Sequence, residues 1–393
     1  MQCALCQSEK TTMFLDLGKQ PLANKYPREA NFATEDFFPL QVFFCENCKN
    51  VQLGTMVSRE RMFEDYYYLS SVNQGLVRHF DALAKKLADA KFVVDVGSND
   101  GILLKPLKEL GVKAIGIEPS INVSKIANDA GLTTITAFFD AESARETKEK
   151  YGEPDVVVAS SVFTHLEDPH ACLDTVQALL SKGGRFIVEV EYIGNILTNI
   201  QFERFYLDRI FYYSLSSLSS LAAAHGMYIS DVEHIEPHGG SLQVTMQRNG
   251  EGVDASERVK QQFAIEEAQL TKETLTTFGK EVDTQTAALR AKLEAFKKEG
   301  VRVAGYGAPA RVSTICNYGK IGPDLVAFTV DDSPLKQNKF TPGTHIPIVP
   351  KEYLDAHPPE VLLVFAYEYL EDIRKKTENK YRYFVPIPPR EIS

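Results

Sequence analysis

The sequence predicts an α/β protein with two doubly wound parallel sheets and a small cysteine-bearing module in front of them. Three observations predict this. Between residue 91 and about 190, strand-like and helix-like patterns alternate. A strand, glycine turn and helix signature occurs twice, at 92–101 and at 301–311. Two Cys-x-x-Cys pairs occupy the first fifty residues.

The cysteine module comes first, over residues 1–60. Cys3 and Cys6 form one knuckle, Cys45 and Cys48 the other, with 38 residues between them. Four thiolates at this spacing suit a tetrahedral zinc, and four protein ligands leave no open position, so the site is structural. The span between the knuckles is longer than a compact ribbon uses. It carries Lys19, Lys25 and Arg28 against Glu29, Glu35 and Asp36, which is no basic stripe. Cys172 and Cys316 stand alone.

Residues 61–250 form the second unit. A tyrosine-rich entry, Tyr66-Tyr67-Tyr68-Leu69-Ser70-Ser71, precedes a helical pattern through Leu76, Phe80, Leu83 and Leu87. Strands are predicted over 92–97, 114–118, 133–138, 155–160 and 185–190. Runs such as Val156-Val157-Val158 and Phe186-Ile187-Val188 are continuously apolar, as in strands buried on both faces. Ligands of such a sheet sit at the carboxyl ends of its strands.

The first turn reads Asp95-Val96-Gly97-Ser98-Asn99-Asp100-Gly101, and the next strand ends on Glu118. Glycines bring backbone close to a ligand, and a carboxylate at that distance accepts bonds from ribose hydroxyls. Asn99 stands where the nicotinamide fingerprint needs its second glycine, and no Gly-Lys-Ser/Thr ending is present for a P-loop. The pattern instead suits S-adenosylmethionine (SAM). Phe138 and Phe139 follow strand three and either flank an adenine or belong to the core. Ser160 to His165 follow strand four, and Glu189 and Glu191 close strand five.

Further along, Phe202 to Tyr213 mixes aromatics with charges at helical spacing, and His238-Gly239-Gly240 leads into a strand. Residues 251–299 read as a helical connector, broken near Gly279 and without a heptad. Residues 300–393 restart the pattern as a Rossmann-like domain. Its turn, Gly305-Tyr306-Gly307-Ala308-Pro309-Ala310-Arg311, puts Arg311 near a helix start. An arginine there suits a diphosphate, or is simply solvated.

Composition narrows the class. The chain has 393 residues, 43 basic and 53 acidic side chains, and a net charge of -10. That balance argues against nucleic acid or an anionic membrane as partner. No apolar run is long enough to span a bilayer and no signal peptide is visible, so a cytoplasmic chain is expected. Nothing in the sequence signals a dimer, so a monomer is expected.

Taken in order, the two knuckles with Pro21-Leu22-Ala23-Asn24 between them, Tyr66–Ser71, DVGSNDG, VFTHLEDP, HGGSL, GYGAPAR, Asn317-Tyr318, VDDSP and PGTHIPI carry a resemblance. Over nearly its whole length the chain resembles the SAM-dependent C-methyltransferases that act on nucleotide-linked 4-keto-6-deoxysugars. The resemblance implies a zinc module, a central Rossmann-like SAM domain and a C-terminal nucleotide-holding domain. It implies methyl transfer to C3 of a TDP- or GDP-linked 4-keto-6-deoxyhexose. On the cofactor side it implies Tyr66, Asp95, Gly97, Asn99, Gly101 and Glu118, with Ser160 and His165 beside them. On the nucleotide side it implies Tyr306, Arg311, Asn317 and Lys336. The family usually carries Tyr-His-Glu-His in the central aromatic segment, with its last histidine as base. Here the segment reads Tyr206-Leu207-Asp208-Arg209.

The implied reaction removes a proton beside a ketone and methylates the enolate. An arginine stays protonated, so Arg209 reads as an enolate stabiliser or substrate anchor. Candidate bases are His238, Tyr206, Tyr212, Asp208 and His165. His238 has a suitable ordinary pKa, or else serves only structure. Arg209 would lower the phenol of Tyr206. Asp208 reads as an orienter or salt-bridge partner. Two other readings stand beside this one: SAM-dependent transfer to oxygen or nitrogen of another nucleotide-linked sugar, and a catalytically altered SAM- or nucleotide-binding protein.

Overall fold

The computed structural model describes residues 1–58, 69–250 and 254–392. Tyr66, with Tyr67 and Tyr68 of the tyrosine-rich entry, lies outside the described residues. The chain folds around three sheets.

The first is an antiparallel sheet of four strands, β1 (Thr11–Pro21), β2 (Phe37–Cys45), β3 (Val51–Leu53) and β9 (Phe211–Tyr212). Its last strand comes from the aromatic segment of the second unit, and Val51 pairs with Tyr212. The cysteine module is thus completed by residues that lie about 160 positions further on.

The second sheet has seven strands in the order β10-β11-β8-β7-β4-β5-β6. β4 (Phe92–Val96), β5 (Lys113–Ile117), β6 (Thr134–Ile135), β7 (Val156–Ser160) and β8 (Arg185–Glu191) are parallel, close to the predicted spans except for β6, which is much shorter. β10 (Met227–Ile235) and β11 (Ser241–Arg248) extend it antiparallel. β4 and β7 are buried on both faces apart from Ser160, which explains the continuous apolar run 156–159 of β7; in β4 the buried Asp95 interrupts it. Helix Gln74–Lys86 covers one face with Leu76, Phe80, Leu83 and Ala84, and Asn73 caps it by accepting from the Gly75 and Leu76 N–H groups.

The third sheet runs β14-β15-β13-β12-β16-β17-β18. β12 (Val303–Tyr306), β13 (Thr329–Val330), β15 (Pro347–Val349), β16 (Val361–Val364) and β17 (Arg382–Pro386) are parallel. β14 (Lys339–Phe340) and β18 (Pro389–Ile392) close its edges antiparallel.

The expected break near Gly279 is corrected. Helix Glu257–Gln269 ends at Leu270, Thr271 caps the next helix, and Lys272–Lys298 runs through Gly279 without interruption. The glycine serves a close approach: a Cβ there would lie 3.1 Å from the Phe14 carbonyl of β1. This helix buries Leu275, Phe278, Val282, Leu289, Leu293 and Phe296, so the helical connector is packed along its length.

The long span between the knuckles has a structural use. Asn24 Nδ2 donates to Asp208 Oδ2 at 2.6 Å, and the Tyr26 hydroxyl donates to the Ala308 carbonyl at 2.7 Å. Phe32 stacks on His345 with ring centroids 3.6 Å apart, and Glu35 accepts from the Gly343 N–H at 3.0 Å. The segment braces both larger units.

Candidate active site

The cysteines converge. All four Sγ atoms lie within 4.8 Å of one another, with Cys3–Cys48 and Cys6–Cys45 at 3.6 Å. A tetrahedron with Zn–S of about 2.3 Å has S···S edges of about 3.8 Å, so the cage fits zinc. The two knuckles repeat one geometry. Gln7 and Lys49 follow the second cysteine of each in left-handed conformation, and their N–H groups return to the Cys3 and Cys45 carbonyls at 3.0 and 2.9 Å. Asn47 and Asn50 donate to the Cys6 and Cys3 sulfurs at 3.5 and 3.7 Å, support suited to thiolates. The zinc is structural, since every ligand is protein.

The SAM turn lies at the carboxyl end of β4. Gly97, Asn99 and Gly101 all adopt positive φ, at 70°, 49° and 85°. Glu118 reaches back from the end of β5: its Oε2 accepts from the Asn99 N–H at 3.1 Å, its Oε1 from the Ser120 N–H at 2.8 Å. Asn99 Oδ1 and Asp100 Oδ2 receive the Ser70 and Ser71 N–H groups at 2.9 and 3.2 Å. Asp95 is buried under the turn. Burial and the nearby Glu189 and Glu118 carboxylates hold its carboxyl well above the ordinary range. The turn, Glu118 and the strand ends thus come together at one edge of the sheet.

The other cofactor-side residues divide. Ser160 turns inward and donates to Glu189, which also accepts from Gln243 at 2.6 Å and contacts His79 at 2.9 Å. Phe138 is 37% exposed, whereas Phe139 packs partly buried against the core. His165 ends a short 3-10 turn after β7 and donates its Nδ1–H to the Asp208 carbonyl.

Around His165 lies a buried charged centre. Glu191 ends β8 and pairs with Arg209 and, at 3.3 Å, with Arg204. Burial raises the Glu191 carboxyl, but Arg209, Arg204 and His238 outweigh it and hold it below the ordinary range. His238 sits left-handed, φ 57°, on the turn before β11. Burial pushes it down to about 4; Glu191 opposes this, Arg209 and Arg204 add to it. Burial and Arg209 likewise take His165 to about 4. Both histidines are therefore neutral near pH 7.

The expectation that Arg209 activates Tyr206 is corrected. The guanidinium lies 5.0 Å from the Tyr206 ring centroid, yet burial outweighs it and the phenol is raised. Burial raises Asp208 as well. Its side chain accepts from Asn24 at 2.6 Å, and its carbonyl accepts from His165.

On the nucleotide side, Arg311 opens helix Arg311–Gly319 as expected, but it is buried. It pairs with Glu368 at 2.9 Å and lies 4.6 Å from the Tyr367 ring centroid. Asn317 ties that helix to the next loop by donating to the Ser313 and Pro342 carbonyls at 2.8 and 2.9 Å. Lys336 donates to the Ala308 carbonyl at 3.0 Å and lies 3.5 Å from Asp331, and the Tyr306 hydroxyl reaches Asp332 at 3.4 Å. Sequence reasoning missed Arg204, Glu203, Tyr367 and Glu368. Arg204 and Glu203 sat in a run already marked by its buried-looking aromatics. Glu368 pairs with Arg204 across 164 residues, a distance no local pattern spans.

Three family models match in succession: a putative zinc binding domain over residues 3–63, a methyltransferase domain over 61–232 and a C-methyltransferase C-terminal domain over 236–388. The C-methyltransferase NovU of Streptomyces niveus is 32% identical over 406 aligned residues, covering 100% of this chain and 97% of that protein. A ubiquinone biosynthesis O-methyltransferase of Bradyrhizobium sp. (strain ORS 278) is 27% identical over 125 residues, 30% of this chain and 48% of that protein. The solved structure of magnesium protoporphyrin IX methyltransferase from Synechocystis PCC 6803 with bound SAM aligns at TM-score 0.35 and 16% identity, over 48% of this chain and 89% of that one. With its four-thiolate zinc cage, its SAM turn and a full-length relative, the chain belongs to the SAM-dependent C-methyltransferase family with an N-terminal zinc-binding domain.

Proposed function

We propose that this enzyme methylates C3 of a TDP- or GDP-linked 4-keto-6-deoxyhexose through an enolate. The observation that carries the reading is the Arg209–Glu191–Arg204 centre with His238 and His165. It lies at the carboxyl end of β8, between the SAM sheet and the C-terminal sheet. That position suits an acceptor anchored on one unit and methylated by the other. Bound SAM supplies an electrophilic methyl on a positively charged sulfur. The chain's own residues do the rest.

His238 takes the proton from the carbon beside the ketone: it is neutral near pH 7 and so can accept it, but burial has moved it from its suitable ordinary pKa to about 4 and makes it a weaker base than a free imidazole. Arg209 Nε makes no hydrogen bond to a described residue, and the side chain stays charged, so it offers N–H donors to the 4-oxygen as negative charge develops. Glu191 fixes that guanidinium. The enolate carbon attacks the methyl and the ketone re-forms; the bonding pair of the methyl would stay with the bound SAM as a neutral thioether. The domain reading is 1–60 for zinc, 61–250 for SAM, 251–299 as helical link and 300–393 for the nucleotide. The four clustered thiols suit the reducing cytoplasm.

The test is incubation with SAM and TDP- or GDP-linked 4-keto-6-deoxyhexoses. A mass gain of one methyl on one carrier, with C3 deuterium lost, supports the reading. Retention of C3 deuterium in a methylated product removes it: the methyl is then on oxygen or on the other carbon beside the ketone.

A further inference from the structure

Five charges alternate in one file from the reaction centre to the C-terminal sheet: Arg209, Glu191, Arg204, Glu368 and Arg311. Arg204 Nη1 lies 3.3 Å from Glu191, and Arg204 Nη2 pairs with Glu368 Oε1. Arg311 Nη2 lies 2.9 Å from Glu368 Oε2. The three arginines and Glu191 expose 9% or less of their side chains, whereas Glu368 exposes 28%. Glu368 is thus the member that reaches toward solvent, on the turn Tyr367–Tyr369 after β16.

One carboxylate here serves two guanidiniums, and the buried Arg311 Nη1 and Arg204 Nε have no hydrogen-bond partner among the described residues. Burial pushes the Glu368 carboxyl up, but Arg311 and Arg204 outweigh it and hold it at about 2. The pair of arginines therefore has donors to spare. Planar forks of this kind match phosphate oxygens in pairs.

We propose that Glu368 keeps the place of the substrate's diphosphate between Arg204 and Arg311, and that the diphosphate displaces it on binding. This rests on the reading that the substrate is nucleotide-linked. A diphosphate brings more negative charge and more acceptor oxygens than one carboxylate, so it wins the exchange. The swap is felt at the reaction centre. Gly239, next to His238, packs directly on the pair: a Cβ there would overlap Arg204 Nη2 and lie 2.9 Å from Glu368 Oε1. Glu368 leaving frees the turn that carries His238 once the nucleotide has arrived.

The test is calorimetric titration of the full chain with TDP and with GDP, wild type against Glu368→Gln. The glutamine variant should bind the preferred nucleotide about tenfold more tightly, and the KM for the nucleotide sugar should fall in parallel. Wild type that binds the nucleotide, beside a folded variant that binds it equally or more weakly, overturns the proposal. Failure of both proteins to bind either nucleotide sinks the nucleotide-linked reading and this proposal with it. If the variant does not fold, a crystal structure of wild type with the bound nucleotide decides. Phosphate oxygens on Arg204 and Arg311 with Glu368 turned away support displacement; both ion pairs left intact refute it.

Discussion

Arg209→Met separates chemistry from packing at the reaction centre. Methionine keeps most of the stem and removes the charge. Glu191, only 5% exposed, then loses one of its two guanidiniums and keeps Arg204 at 3.3 Å. Stripping a buried carboxylate of its whole partner costs about 3–5 kcal/mol, so losing one of two should cost about 2 kcal/mol. For a melting unit of roughly 200 residues this is a fall in Tm of about 5 °C. Loss of one donor to a developing oxyanion costs about 100- to 1000-fold in kcat. Both losses should appear together, with SAM affinity by calorimetry unchanged. Arg209→Lys restores charge without the fork, so it should recover stability more than rate. If Arg209→Met loses stability but keeps kcat within about threefold of wild type, Arg209 is a structural ion-pair partner only and the enolate role is wrong.

Three further outcomes are expected. Glu118→Ala removes the acceptor of two backbone N–H groups and the acid proposed to bind the ribose, and should weaken SAM binding at least tenfold; a Kd within twofold of wild type removes Glu118 from the site. His165 and His238 are both lowered to about 4 from an ordinary 6.5, so the unfolded chain binds more protons between these values. Stability should be full above about pH 6.5 and fall as pH drops through about 4, by on the order of 2–3 kcal/mol per histidine; urea midpoints that stay level from pH 7 to 4.5 contradict this. Metal analysis should find one zinc per chain, and Cys45→Ser should lower that content and the melting temperature together, because the knuckles anchor the segment that holds Asp208 and Ala308. A metal-free chain with unchanged melting would show that the cage needs no ion.

Much of this architecture could be read from local pattern. Continuous apolar runs marked β7 and β8 because a strand covered on both faces has no room for alternation. The cysteine knuckles and the 97–101 turn were legible because each is a local geometry that few residues satisfy. What escaped was long-range. Gly279 read as a helix break, since the sequence does not reveal that β1 presses a carbonyl against it. Asn317 and Lys336 are also tied to the Pro342 and Ala308 carbonyls, partners that no local pattern announces. Tyr206 read as activated because its neighbour Arg209 is visible in sequence and the depth of its burial is not. The ion-pair file depends on Glu368, which meets Arg204 only after two sheets have packed.

The fourth strand of the zinc-module sheet has a consequence for how the chain is made. Residues 51–53 wait for Phe211–Tyr212, so the ribosome must deliver more than half of the polypeptide before the first module can close. Metal capture by the emerging N-terminus would precede the sheet that shields it. The isolated first sixty residues should therefore hold zinc less tightly than the finished protein.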